Sequence, residues 1–391
     1  MRLLLAIPYF APAYAFGGSV TVAETMVEDF LAAGHEVTVA TTDVLDERAR
    51  IPAAAPAQPA GAEVVRFPNV SHRAAAGVNA YLPRGMRRWV RANAARFDVV
   101  LLHDVYSAVS VLAARGAERA GVPYVLQPLG TLSPAAERGR PLAKRAFLAA
   151  WGNRTVACAT ALIHSSDDER RDFLDAGADP ERLVRLPLPL ELPAVDGAGE
   201  AAAPTVAYVG RLHPIKRIDR LIEAIALARR EVPSARLDVV GPGERHGREL
   251  EELARRLGVD GAVTFHGYVS VEEKLRVLAR AHVSALLSAS EGLPMAALEA
   301  MACGTPVVLS QGCHLPEVDG RAGIVVPGGA SDAAQAIVAL LTDDARRAQL
   351  AAGASAFAGD FRREHVMPRM VAAFEALAAG GGAGRARAAA G

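Results

Sequence analysis

The sequence predicts an α/β protein of two domains, each a parallel β-sheet covered by helices. The chain has 391 residues, which is more than one hydrophobic core commonly supports. Short apolar runs typical of buried strands alternate with amphipathic helical segments in both halves. The alternation stops once, between residues 186 and 204, where repeated Pro, Ala and Gly predict an interdomain linker.

The first domain opens with a strand, a helix and a second strand, in the segments LLLAI, VAETMVEDFLAAG and EVTVAT. The opening also resembles an export signal, but its apolar run ends at Pro8 and is too short for one. Further apolar runs predict strands at 63–67, 99–102, 124–127 and 161–164. We therefore assign residues 1–190 to the first domain.

The second domain repeats this architecture. Its helix over 218–230 places Ile218, Leu221, Ile222 and Ile225 on one face, as expected for a helix that covers a sheet. Strands are predicted in the segments TVAYVG, RLDVVG, VTFHG, VSALLS and PVVLS. We assign residues 204–361 to this domain, and expect a helix at about 362–380 to pack back on the first domain. Residues 381–391, rich in Gly and Ala, are expected to form a disordered tail.

The composition excludes several classes of protein. Lys plus Arg and Asp plus Glu number 43 each, so no net charge attracts the chain to nucleic acid. No segment approaches the roughly 18 uninterrupted apolar residues of a membrane span. The three cysteines show neither zinc-site nor disulfide spacing. We expect a cytoplasmic protein, and peripheral contact with the inner face of the membrane stays open.

The strongest candidate motif is SASEGLPMAALEAMACGTPVV in the second domain. Gly292, Leu293 and Pro294 stand between a strand and a helix, where backbone N–H groups and the helix dipole can bind a phosphate. Glu291 can accept hydrogen bonds from sugar hydroxyls, and Glu299, about two turns further along, can reach a ribose diol. The alternative for Glu299 is a surface position, although its neighbours are apolar.

A second motif, GRLHPIK, directly follows the first strand of the second domain. Arg211 offers a bidentate fork and Lys216 a point charge, so the pair can neutralise a diphosphate. Fixed cations at that place would stabilise the charge that develops as a diphosphate leaves. Taken alone, both residues would be interpreted as solvated charges at a helix start.

Together, Gly210, Arg211, Lys216 and the pair Glu291 and Glu299 resemble the retaining GT-B glycosyltransferases of family 4. The resemblance implies two Rossmann-like domains whose parallel sheets face a central cleft. It also implies transfer of a sugar, with retention, from a UDP- or GDP-sugar to an acceptor in polysaccharide, glycolipid or natural-product biosynthesis. In that family the arginine and lysine bind the donor diphosphate, the second glutamate binds ribose, and the first contacts the transferred sugar.

The same resemblance extends to three other segments. Such enzymes hold the base at the positions of Gly267, Tyr268 and Val269. A glycine loop that faces the donor phosphates corresponds to Gly17 and Gly18 in FGGSV. His103, followed by Asp104, stands at a strand end near the reacting sugar. We count His103 as catalytic, together with Glu291, Arg211 and Lys216. Its first expected role is as a positioning or polarising group, and its second is as a general base. A structural, buried histidine is an equal alternative.

The resemblance implies no required metal, because cationic side chains act in its place, and no cofactor beyond the nucleotide-diphosphate sugar as co-substrate. We predict the acceptor region in the polar stretch 127–145. The basic stretch 82–97, which contains Trp89, is either a solvated helix face or a contact with an anionic membrane.

Two other functions are weighed. Gly17 and Gly18 follow a first strand and Asp43 ends the second, a pattern also typical of NAD(P)-dependent oxidoreductases, although the third glycine is missing. That alternative leaves GRLHPIK and the two glutamates without a role. A non-catalytic module that binds a nucleotide sugar is the other alternative.

Overall fold

The computed structural model describes residues 1–16, 18–46, 49–52, 59–71, 81–132, 146–191, 199, 201–291, 293–380 and 382–391. They form two compact units, Met1–Leu190 with Arg363–Gly391, and Glu191–Arg362. Each unit contains a parallel sheet with helices between its strands, which confirms the predicted fold class. Residues 192–198 and 200 of the predicted linker, and residues 133–145 of the predicted acceptor region, lie outside the described residues.

The sheet of the first unit has seven strands among the described residues, in the order β3-β2-β1-β4-β5-β6-β7. Its central strands are mostly apolar because both faces are covered, and Leu3, Leu4 and Leu5 are each only 1% exposed. The order reverses between β1 and β4, which leaves a crevice at the carboxyl ends of these strands. The strands are β1 (Arg2–Ala6), β2 (Glu36–Thr42), β3 (Glu63–Phe67), β4 (Val99–His103), β5 (Tyr124–Gln127), β6 (Ala161–His164) and β7 (Leu183–Arg185).

The helices of the first unit cover both faces of this sheet. Ser107 and Ser166 begin two of them by accepting hydrogen bonds from backbone N–H groups in the first turn. In chain order the helices are α1 (Gly18–Ala32), α2 (Met86–Asn93), α3 (Ala108–Ala120), α4 (Asn153–Ala157) and α5 (Asp167–Asp175).

The second unit repeats the topology with six strands among the described residues, in the order β10-β9-β8-β11-β12-β13. Its order reverses between β8 and β11, which pair in parallel. The strands are β8 (Thr205–Val209), β9 (Arg236–Val240), β10 (Val263–Gly267), β11 (Val283–Leu286), β12 (Val307–Ser310) and β13 (Gly323–Val326). The helices are α6 (Ile218–Ala228), α7 (Glu244–Arg256), α8 (Val271–Arg280), α9 (Met295–Ala302), α10 (Ala330–Thr342) and α11 (Asp344–Gly359). The predicted apolar face of α6 is buried.

Two C-terminal helices, α12 (Arg363–Ala378) and α13 (Ala383–Ala390), belong to the first unit. Arg363 donates from Nε to Asp29 Oδ2 at 2.8 Å, and Phe374 packs edge-on against Phe30 with ring centroids 5.2 Å apart. Within the described part of the chain, no helix combines the length and the apolar character that crossing a bilayer requires.

The expectation of a disordered tail over 381–391 is wrong for the described residues, because α13 occupies most of that segment. Its buried alanines pack in contact with α12 and β7, and Arg387 Nη2 lies 2.9 Å from Glu181 Oε2. Alanine has the highest helix propensity and costs no side-chain entropy, so an Ala-rich segment becomes ordered once it has a surface to cover. The composition alone does not reveal that surface.

Candidate functional site

The candidate donor site lies at the strand-order reversal of the second unit. The segment after β8 contains Arg211 and Lys216, and the segment after the neighbouring strand β11 contains Glu291. The two segments are joined by a hydrogen bond from Ala289 N to Ile215 O, at 2.7 Å. Parallel strands end at the same edge of a sheet, so residues about 75 positions apart meet there.

An ion pair forms the centre of this site. Lys216 Nζ lies 2.5 Å from Glu291 Oε1, and Ser288 Oγ donates to the same oxygen at 2.5 Å. The two charged side chains are 19% and 10% exposed, so the charges are largely desolvated and interact more strongly than surface charges do. Arg211 is exposed and, within the described residues, makes no ion pair, so its guanidinium is available to an anion.

Two glycines let the surrounding loops approach each other at the backbone level. A Cβ at Gly241, whose φ is +142°, would lie 1.9 Å from the Gly210 carbonyl oxygen. A Cβ at Gly312 would lie 2.3 Å from the Ser288 carbonyl oxygen. Any other residue at these positions would push the loops apart. Sequence analysis did not single out either glycine for this role.

Glu299 forms an ion pair that sequence analysis did not predict. Its Oε1 lies 2.7 Å from Lys274 Nζ, and both side chains are about one-fifth exposed, at 20% and 22%. Lys274 belongs to α8 and Glu299 to α9, two helices that pack against each other. No sequence motif links two residues 25 positions apart on different helices, so sequence analysis missed this lysine.

The other predicted donor-binding residues differ in how far the structure describes them. Leu293 and Pro294 precede α9, whose first residue is Met295, but Gly292 lies outside the described residues. Gly267 accepts a hydrogen bond from Gly241 N at 2.8 Å, which places the predicted base segment beside the site. Within that segment Val269 is half-buried, whereas the Tyr268 side chain is 83% exposed.

In the first unit, His103 ends β4 at the corresponding strand-order reversal. The ring is fully buried, and its Nε2 lies 3.1 Å from Gln127 Oε1 on β5. Burial lowers the pKa of His103 to about 4, against a weaker opposing effect of the hydrogen bond to Gln127. The imidazole is therefore neutral at neutral pH. Its Nδ1 is buried and has no hydrogen-bond partner among the described residues.

The glycine loop of the first unit is described only in part. Gly17 lies outside the described residues, and Gly18 begins α1. Just before it, Phe16 stacks on Tyr9 with ring centroids 4.3 Å apart. Burial, with the charge of Asp104 as a smaller cause, raises the pKa of Tyr9 to about 12. Tyr9 is thus close enough to Asp104, which follows β4, for that charge to act on it.

The structure disfavours a dinucleotide site here. Asp43, which would hold the ribose of such a cofactor, is already engaged through both carboxylate oxygens. Its Oδ2 lies 2.6 Å from Arg50 Nη1, and its Oδ1 accepts from Asn69 N at 2.8 Å. These contacts tie together the segments that follow β2 and β3, which is a structural role.

Sequence analysis also missed a buried carboxylate in the first unit. Glu169 is 5% exposed and accepts hydrogen bonds from Gly130 N at 2.7 Å, Ser165 N at 2.7 Å and Ser165 Oγ at 2.6 Å. It connects the turn after β5 to the start of α5. The nearest sequence signal is Ser166, which caps α5 three residues before Glu169.

Groups of three or more potential metal-ligating side chains are absent from the described residues. The buried thiol of Cys313 donates to Leu286 O at 3.2 Å, and burial raises its pKa to about 12, so it packs as a protonated side chain.

Comparison with known proteins adds to this geometry. Residues 203–343 match the family model described as Glycosyl transferases group 1, and residues 17–189 match a Glycosyl transferase 4-like domain. A D-inositol 3-phosphate glycosyltransferase of Stackebrandtia nassauensis is 32% identical over 318 residues, which cover 73% of this chain and 70% of that relative. This chain belongs to the group 1 glycosyltransferases.

Other group 1 glycosyltransferase relatives match over less of their length. A D-inositol 3-phosphate glycosyltransferase of Geodermatophilus obscurus is 35% identical over 247 residues, which cover 58% of this chain and 54% of that relative. Among solved structures, Anabaena HepE in complex with UDP superposes with a TM-score of 0.74 at 19% identity, covering 96% of this chain and 100% of HepE. At that identity the superposition establishes the GT-B fold alone.

Proposed function

We propose that this group 1 glycosyltransferase moves a sugar, with retention, from a nucleoside-diphosphate sugar to a hydroxyl group of an acceptor. The observation that carries the proposal is the charged centre of the second unit. Arg211 is exposed and Lys216 is held by a mostly buried Glu291, at the sheet edge where α/β proteins bind their ligands. A diphosphate needs two cations of this kind.

In this proposal the two cations hold the diphosphate as it leaves. The bond between the anomeric carbon and the diphosphate oxygen breaks, and the phosphate oxygen keeps the electron pair. Arg211 and Lys216 stabilise the charge that develops on that oxygen, the role that a metal ion has in other transferases. The acceptor oxygen bonds to the same face of the anomeric carbon, and its proton passes to the departing diphosphate. Retention of configuration follows from that geometry.

Glu291 has two roles in the same proposal. Before the donor binds, it neutralises Lys216 and holds the ammonium in place through its Oε1. Once the diphosphate has taken over Lys216, a carboxylate oxygen becomes available to accept hydrogen bonds from hydroxyls of the transferred sugar. Gly292, Leu293 and Pro294 before α9 would supply backbone N–H groups near the phosphates, and Gly17 and Gly18 would do so from the first unit. Tyr268 and its neighbours Gly267 and Val269 would bind the base.

His103 is proposed as a positioning group rather than a general base. A neutral ring with a pKa of about 4 is a weak base at neutral pH. Its buried Nδ1 is instead suited to accept one hydrogen bond, either from the donor sugar or from a residue that contacts it.

We propose UDP, in preference to GDP, as the nucleotide of the donor. Support comes from HepE, which has the same fold and has been solved with UDP and with UDP-glucose. The acceptor is proposed only as a class: a glycan, a glycolipid or a small natural product. Inositol 3-phosphate is the first small acceptor to test, because the relatives in Stackebrandtia and Geodermatophilus carry its name.

The experiment is a donor screen followed by a stereochemical assay. UDP-glucose, GDP-mannose, ADP-glucose and NAD are tested by calorimetry, and release of the nucleoside diphosphate is followed with and without EDTA. We expect binding of a UDP-sugar, turnover that survives EDTA, and a product whose anomeric configuration by NMR equals that of the donor. Binding of NAD alone would contradict the proposal, and binding without any turnover would favour a non-catalytic module.

We also propose that the first unit meets an anionic membrane surface. Five exposed arginines occur without an intervening acid on and beside α2, and the neighbouring Val70 and Leu82 are 55% and 44% exposed. Trp89 does not join this surface, because it packs inward on Phe67, with ring centroids 5.7 Å apart. Sedimentation with vesicles tests the idea: phosphatidylglycerol vesicles should bind the chain and pure phosphatidylcholine vesicles should not. The arginines are Arg84, Arg87, Arg88, Arg91 and Arg96.

A further inference from the structure

The contact between Lys274 and Glu299 has features that set it apart from the surface ion pairs of the second unit. Its two side chains are 22% and 20% exposed, whereas Arg276 and Glu272, on the same helix as Lys274, are 54% and 75% exposed. Partial burial reduces solvent screening, so the ammonium interacts more strongly with the carboxylate. Lys274 therefore holds Glu299 more firmly than Arg276 holds its own acidic partners.

The two helices that carry this pair begin beside the proposed donor site. Helix α8 starts at Val271, directly after the segment proposed for the base, and Lys274 lies one turn along it. Helix α9 starts at Met295, directly after the segment proposed for the phosphates, and Glu299 also lies one turn along it. The pair therefore lies between the proposed positions of the base and the phosphates, which is where the ribose of a nucleotide must lie.

The chemistry of the pair matches a vicinal diol. Within the described residues, Oε1 of Glu299 bonds to Lys274 and no bond occupies Oε2. A lysine ammonium has three N–H donors, of which this contact uses one. A diol presents hydroxyls that each donate and accept, so a carboxylate oxygen and an ammonium N–H side by side satisfy both functions.

We propose that Lys274 is a positioning residue of the ribose site: it fixes the direction of the Glu299 carboxylate and thereby sets the preference for a ribose with both hydroxyls. The inference rests on the proposed function, in particular on Glu299 as the ribose ligand. Without the lysine, Glu299 would be a mostly buried carboxylate whose Oε1 has lost its partner, and the direction of the carboxylate would no longer be fixed.

The test compares two ligands on four proteins. UDP and 2′,3′-dideoxy-UDP are titrated calorimetrically into the full chain as wild type, Lys274→Met, Lys274→Arg and Arg276→Met. Wild type should bind UDP about tenfold more tightly than the dideoxy compound. Lys274→Met should lose most of that preference by weakening UDP binding alone, and Lys274→Arg should keep much of it. Arg276→Met, which removes an exposed ion pair from the same helix, should behave as wild type.

Several outcomes would overturn the inference. If Lys274→Met weakened both ligands equally, Lys274 would only support the fold of the site; if it changed neither, the ion pair would have no part in binding. Thermal unfolding of each variant shows whether the second unit is intact. If the wild type bound none of UDP, GDP and ADP, the proposed function itself would fail. If the wild type bound UDP and Lys274→Met kept the same preference for UDP over the dideoxy compound, only the inference about Lys274 would fail.

Discussion

The two units have the same strand order at their centres but opposite chemistry at the crevice that this order creates. In the second unit the strand ends carry an exposed Arg211 and the ion pair of Lys216 with Glu291. In the first unit the corresponding edge carries His103 and Gln127, both almost fully buried and bonded to each other. One edge thus presents cations, whereas the other carries a neutral histidine and amide together with the buried carboxylates of Asp104 and Glu169.

The difference teaches that topology decides where a ligand site forms, while the residues at the strand ends decide what it binds. A reversal of strand order opens a crevice whatever its sequence. Two cations there suit a diphosphate. A neutral histidine in an apolar surrounding suits an uncharged sugar or a structural role. This division of chemistry gives four predictions.

The largest expected effect is on the charged edge. Lys216→Met should lower kcat/KM for the donor roughly 100- to 1,000-fold, because it removes a fixed charge from the leaving diphosphate and leaves Glu291 without its cation. Steady-state release of UDP measures this effect. Arg220→Met, which breaks a half-exposed ion pair with Glu223 on α6, is the matched control and should keep normal activity. Equal losses in both variants would contradict the proposed site.

Two buried histidines should make the first unit sensitive to acid. Burial lowers the pKa values of His103 and His164 to about 4, from an unfolded value of 6.5. Between pH 6.5 and pH 4 the unfolded chain binds more protons than the folded chain does. The free energy of unfolding should therefore fall as the pH is lowered from about 6.5 towards 4, by up to about 3 kcal/mol for each histidine. Hydrogen exchange of β4 and β6 at several pH values measures this loss.

Variants separate the histidines from other acid effects. In His103→Gln with His164→Gln, the fall in stability between pH 6.5 and 4 should become much shallower, even if the variant is less stable at pH 7. His213→Gln changes an exposed ring in the second unit and should leave the slope of the first unit unchanged. An unchanged slope in the double variant would refute the assignment.

The charged edge also depends on close backbone contact, and this gives a smaller expected effect. Gly241→Ala should destabilise the second unit by about 1–3 kcal/mol, because the added Cβ meets the Gly210 carbonyl in a backbone conformation that suits glycine. It should also weaken UDP binding, since Arg211 follows Gly210. Gly261→Ala adds a Cβ with no atom within 4 Å and serves as the control. Urea unfolding and calorimetry distinguish the two variants.

The smallest effect concerns the first unit alone. Removal of residues 383–391 should lower its stability by about 2 kcal/mol, roughly the value of the three buried alanine methyl groups on α13. Hydrogen exchange should increase in β7 and α12 but not in the second unit. Arg387→Gln tests the ion pair with Glu181 separately, and should cost well under 1 kcal/mol, about the usual value of an exposed pair. No change on truncation would mean that α13 contributes nothing to the fold.

The sequence was informative wherever the signal was local. Apolar runs of strand length, alternating with helical faces such as Ile218 to Ile225, predicted two parallel α/β sheets, and the GT-B fold confirms them. The sequence also predicted a helix directly after Pro294, and α9 begins at Met295. These features depend on residues a few positions apart, so they can be interpreted without knowing what lies beside them.

Other features depended on contacts between distant segments. The composition of residues 381–391 indicated disorder, because the surface of α12 and β7 that orders α13 belongs to another part of the chain. Likewise, the burial of His103 follows from its position between neighbouring strands, which gives its ring a pKa that no sequence motif reveals.

By itself, the sequence determined the alternation of strands and helices in both halves, without β7 and β13, and the segments in which Arg211, Lys216, Glu291 and Glu299 occur. Only the tertiary structure decided their partners: Lys216 for Glu291, and Lys274 for Glu299. The physical reason is that periodicity and turn chemistry act between near neighbours in the chain, whereas ion pairing and desolvation depend on which strands and helices lie side by side after folding.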